Sequence, residues 1–222
     1  MSRNRNLCLL FIHLFLTVFA VFIFYFDTYD KSVLKYYIHE DNFSENITVA
    51  LYFISSLGFL LSFKINKQYK LYLFLSFLCL FISGEELSWG QRIFNIQTPE
   101  VLSQANVQNE TNFHNLKYFS GVNDIISSRT IFNGVLLTFL VIIPIANLFN
   151  CCNRFFLEYK VPVYPLYGLG ISLLILIVRI FQKYGNHSGY YLDEVVEMSA
   201  SFAFLVYSIS ELKINTHLYR LP

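Results

Sequence analysis

Glu85 and Glu86 stand beside the chain's one tryptophan, Trp89, and Arg92, directly after Leu71 to Ser83, thirteen residues without a charge. Ionisable groups continuing a membrane-grade apolar run are costly to keep there and mark a functional site. Two more carboxylates, Glu194 and Glu197, open another apolar run, and His114 lies in a polar stretch between them, rich in Asn and Gln. Carboxylates with one imidazole form an oxygen-rich ligand set for a divalent metal such as Mg, Mn, Zn or iron. Without a metal, packed carboxylates repel one another and some keep a proton, which suits general acid–base work. A structural reading stands beside these: Glu85 or Glu86 pairs with Arg92 or Arg179 and ties helices together. A transport or ligand-binding site is the remaining reading.

The elements that must position these residues follow from composition. Of 222 residues, 55% are hydrophobic and 14% charged. Soluble domains carry about 25% charged residues, so the balance predicts an all-α polytopic transmembrane bundle, one domain over 1–222. Six apolar runs predict spans at about 7–26, 47–63, 71–94, 130–149, 163–181 and 193–212. Roughly twenty apolar residues suffice to cross a bilayer. The third is expected to run as helix through the Glu85 cluster to about Phe94, where Thr98-Pro99 stops it. The segment 95–129 is too long for a turn and predicts short helices folded over the membrane surface. Pro144 predicts a kink in the fourth span. A net charge of +1 gives no case for nucleic-acid binding, so membrane lipids are the expected partners, with a homo-oligomer or membrane partner left open.

Nine of the sixteen basic residues fall in segments that a cytoplasmic N-terminus would place inside, mostly in short connectors such as 64–70 and 151–160. This predicts cytoplasmic N- and C-termini. Cys8 and Cys79 lie in apolar runs, and the vicinal pair Cys151-Cys152 reads as juxtamembrane thiols rather than a disulfide framework. His13 reads as a packing residue of the first span.

Whatever the orientation, six spans put Glu85, Glu86, His114, Arg179, Glu194 and Glu197 at one membrane face. In a continuous third helix Glu85, Ser88, Trp89 and Arg92 share a stripe, and Glu194, Glu197 and Ser201 form another. Both should turn inward. The expected roles are ligands or acid–base groups for Glu85, Glu86, His114, Glu194 and Glu197. Arg92 and Arg179 would hold an anionic headgroup, with Trp89 packed beside it. The expected function is a membrane enzyme, most simply a metal-assisted hydrolase or transferase, acting on a lipid or lipid-linked substrate at the outer face. The alternative is a transporter, sensor or structural subunit whose buried charges are packing ion pairs. No serine-hydrolase elbow, ExxH di-iron pair, CDP-alcohol transferase signature or phosphate loop is present.

The run Gly84-Glu85-Glu86-Leu87-Ser88-Trp89-Gly90-Gln91-Arg92-Ile93-Phe94, then Thr98-Pro99-Glu100, then Asn106-x-Gln108-x-Glu110-x-Asn112-x-His114-Asn115-Leu116, resembles an uncharacterised family of bacterial multi-pass inner-membrane proteins. The resemblance covers about 33 residues, from Gly84 to Leu116. It implies a bacterial inner-membrane location, and that the acidic-Trp-Arg cluster and the loop histidine belong together. It implies no reaction.

Overall fold

In lipid, backbone N–H and C=O groups must be satisfied within the protein, and a single segment does this most simply as helix. Every regular element among the described residues is helical accordingly. The computed structural model describes residues 2–30, 32–34, 43–118, 127–149, 153–184 and 189–219, without the side chains of 2–10, 28, 43, 92, 153, 154, 157, 167, 183, 184, 189, 190 and 214–219. In order come α1 (Ser2–Tyr29), α2 (Phe43–Ile65), α3 (Lys70–Glu86), a 3-10 turn (Ser88–Gly90), α4 (Gln91–Phe94) and α5 (Glu100–Ala105). Then follow α6 (Ser128–Leu137), a π turn (Thr138–Ile142), α7 (Ile143–Leu148), α8 (Asn153–Glu158), α9 (Leu169–Tyr184) and α10 (Gly189–Tyr219). Ser44–Ile65, Ser128–Leu148 and Tyr191–Lys213 are long and apolar enough to cross a membrane, while Phe11–Asp27 and Leu169–Gln182 are shorter apolar helices. These mark a membrane protein.

The core is a seam built on α2, which packs along both α3 and α10, with α1 and α9 packed on α10 and the α6–α7 rod joined through α9. Phe59, Tyr72 and Tyr207 pack together in it beside the start of α3. Gly58 permits the close approach of α2 and α10, since a Cβ there would stand 2.9 Å from Ser208 Oγ.

Two helices differ from the sequence reading. The third helix does not run to Phe94; it ends at Glu86, and Ser88 and Trp89 take left-handed conformations. The fifth does not begin at Val163. Pro162 and Pro165 hold 161–165 out of helix, and α9 starts at Leu169 after a 3-10 turn. The sixth run lies within α10, whose stretch Tyr191–Lys213 is long and apolar enough to cross a membrane, close to the expected 193–212. The irregularity expected at Pro144 is the π turn just before it. Proline denies the Leu140 carbonyl its helical partner, and Ser172 Oγ donates to that oxygen at 3.3 Å. His13 packs on Gly170. Cys79 is a buried free thiol, and Cys151-Cys152 lies outside the described residues.

Candidate functional site

Where α3 stops, three successive residues have positive φ: Ser88 at 47°, Trp89 at 54° and Gly90 at 82°. Only glycine takes that conformation without strain, so side-chain bonds must hold the other two. Trp89 folds its ring back over Gly84, where a Cβ would lie 2.9 Å from the indole, and donates its Nε1 hydrogen to Glu85 Oε1 at 2.6 Å. The other Glu85 oxygen accepts the backbone N–H of Phe113 at 2.7 Å and of His114 at 2.9 Å. His114 Nδ1 stands 3.4 Å from that same oxygen. One buried carboxylate thus ties the end of α3 to a loop nearly thirty residues on.

The rest of the loop docks through the same turn. Ser88 Oγ donates to Glu110 Oε2 at 2.6 Å, and Asn112 Nδ2 donates to the same oxygen at 2.7 Å. Thr111 gives its backbone N–H to Gln91 Oε1 at 2.8 Å and its hydroxyl to Ser88 O at 2.7 Å. Asn106 is buried and gives Nδ2 to both oxygens of Asn112 at 2.9 Å, closing the loop on itself. Asn115 bonds Gln108. The polar residues between Gly84 and Leu116 are therefore mostly one hydrogen-bonded unit.

Beneath this unit lies a cavity of about 460 Å³. Glu85, Glu86, His114, Glu194, Glu197 and Arg179, all singled out from sequence, line it together. Sequence reasoning did not assign Glu45, Glu110, Asp193 and Arg129, which line it too. Asp193 sits beside the expected pair on α10, Glu45 stands two residues before the apolar run 47–63, and Glu110 lies in the polar loop. Leu78, Phe81, Ile82, Ile131, Phe132 and Val135 supply its apolar lining.

Two of the expected headgroup contacts change. Arg179 is not open for a headgroup: it bonds Asp193, whose other oxygen takes Arg129. Trp89 does not line the cavity and is 48% exposed at the turn. The Arg92 side chain lies outside the described set. Ser44 Oγ donates to Glu194 Oε2 at 3.0 Å, fixing the start of α2 to α10. Among the described residues no three of His, Cys, Asp and Glu stand together as a metal-ligand group.

His114 is the titrating group of the loop. Burial alone would depress its pKa. The hydrogen bond to Glu85 and the charges of Glu86, Glu85 and Glu110 outweigh burial and hold the imidazole above its ordinary value. With Nδ1 turned to Glu85, proton exchange falls to Nε2.

No family model, no curated protein and no solved structure matches this chain.

Proposed function

We propose that the chain is a six-span membrane protein whose cavity takes a lipid or lipid-linked molecule and catalyses a hydrolytic or transfer step on its headgroup. The observation behind this reading is the mixed lining of the cavity, where aliphatic and phenyl groups of α3 and α6 occur together with carboxylates and an imidazole. An amphiphile fits such a lining with its chain on Leu78, Phe81 and Phe132 and its headgroup on the ionisable groups. Glu85 orients His114, which serves as general acid and base. Glu86, Glu194 and Glu197 stand as acid–base or binding groups. The basic connectors favour cytoplasmic termini and a cavity at the outer face. The resemblance extends this to a bacterial inner membrane.

One observation favours a second reading, cation transport. Seven carboxylates line the cavity against three cationic side chains, His114 included, a balance that draws positive charge.

The test is turnover. Wild type and His114→Gln are reconstituted in vesicles of a complete native lipid extract, and headgroup products are followed by mass spectrometry. The expected result is product from wild type and a loss of about 10²–10⁴-fold in the variant, the span of general acid–base catalysis. Equal turnover in both proteins, or none in wild type, contradicts the reading.

A further inference from the structure

The α2–α3–α10 seam carries polar groups that packing alone does not require. On α3 they are Tyr72, Ser76, Cys79, Ser83 and Glu86; on α10, Glu197 and Glu211, while Ser201 and Ser208, lying between them, bond their own helix backbone. Each series holds one helix face over fourteen residues, about 21 Å at 1.5 Å per residue. Because α3 and α10 run oppositely, Glu86 and Glu197 both line the cavity, and Tyr72 meets Glu211 at the far end. We propose that this seam is a proton path joining Glu211 to the cavity.

Three observations carry it. At the far end, the Tyr72 hydroxyl donates to Glu211 Oε2 at 2.6 Å, both groups buried. In the middle, Ser56 Oγ and Ser76 Oγ lie 3.1 Å apart across the α2–α3 interface. Toward the cavity, Tyr52 is fully buried and its hydroxyl has no hydrogen-bond partner. That phenol lies within electrostatic reach of Cys79 and Glu86 on α3 and Glu197 on α10.

Side chains on a helix lean toward its N-terminus. Tyr52 therefore leans toward the cavity and Tyr72 away from it, so the two phenols extend the serine pair in opposite directions. Serines with only a structural role bond their own helix, as Ser55 does to Leu51 O at 2.6 Å and Ser62 to Gly58 O at 3.0 Å. Ser76 and Tyr72 instead reach across helices. Phenylalanine would fill the Tyr52 site equally well, so its unbonded hydroxyl requires another reason.

Steps of one helical turn, about 5.4 Å, exceed a direct hydrogen bond and are bridged by single waters. A proton reaching the Tyr72 oxygen displaces the phenol's own hydrogen onto Glu211, which releases it at the far face. No bond other than O–H forms or breaks. The path stands apart from any reaction in the cavity and does not rest on the reading above.

The experiment is proton flux. Vesicles loaded with a pH-sensitive dye, their potential clamped by potassium and valinomycin, receive an acid pulse. Wild type is expected to equilibrate faster than protein-free vesicles. Glu211→Gln and Tyr52→Phe should fall to the protein-free rate. Ser172→Ala, a buried hydroxyl bonded to Leu140 O outside the seam, should keep the wild-type rate. Tyr52→Phe is isosteric and, with an unchanged melting temperature, decides the matter if the Glu211 variant does not fold. Wild-type flux no faster than empty vesicles, or wild-type flux in Tyr52→Phe, overturns the proposal.

Discussion

Glu85→Leu is expected to unfasten the 106–116 loop and to lower the melting temperature in detergent sharply. The Glu85 side chain is 7% exposed and receives two backbone N–H groups, the Trp89 indole and His114 Nδ1. A buried donor left without its acceptor costs ~1–3 kcal/mol. Trp89, 48% exposed, and His114, 36% exposed at its side chain, regain water. The two backbone groups therefore decide the total, roughly 2–6 kcal/mol. Glu85→Gln keeps one acceptor oxygen and should lose less. Limited proteolysis within 106–116 reads the loop, and thermal unfolding reads the whole. A Leu variant as protease-resistant and as stable as wild type would show that the carboxylate is not what holds the loop. His114 adds a pH signature. Its pKa is raised in the fold, so its contact stabilises fully below about pH 6.5, the ordinary histidine value. That contribution is lost as pH rises through the folded value. The melting gap between wild type and His114→Gln should therefore narrow on going alkaline.

Asp193→Ala is the second large expected effect. Asp193 accepts from Arg179 on α9 and Arg129 on α6, so one carboxylate pins two helices to α10. The side chains of Arg179 and Asp193 are 17% and 16% exposed, and stranding a buried charge costs about 3–5 kcal/mol. Arg129 is 55% exposed, and pairs of that kind are worth ~0–1 kcal/mol. The ordering is the prediction: Asp193→Ala far below wild type in thermal stability, Arg129→Gln close to it. The double variant Arg179→Gln/Asp193→Asn should recover part of the loss, because no charge is then stranded. Equal, small losses in all three would mean that water already screens the cluster.

Much of this was legible in the sequence for a simple reason. Apolar runs and their order fix which helix ends share a face, and helical spacing fixes which carboxylates point together. That is how Glu85, Glu86, His114, Glu194 and Glu197 could be grouped before any coordinates. The break after Glu86 was not legible. Ser88, Trp89 and Arg92 follow Glu85 at helical intervals, so a continuous helix is the default reading. What ends it is tertiary: the indole folding onto Gly84 and Glu85 drawing the loop inward. Gly90 was the one local sign. The late start of α9 had its signal in Pro162 and Pro165, which the hydropathy of the run outweighed. Arg179's engagement was hidden differently. Nothing in one sequence says that Asp193, rather than a ligand, occupies a guanidinium.

The claim on which the account turns is that the cavity holds an amphiphile. A photo-crosslinking residue at position 132, in the apolar lining, tests it in native membranes beside one at position 77, where Phe77 is 62% exposed. The captured molecules are identified by mass spectrometry. The account predicts a restricted set of lipid or lipid-linked species from position 132, reduced by Glu194→Gln, and the bulk lipid mixture from position 77. The same bulk mixture from both positions, insensitive to Glu194→Gln, would contradict it.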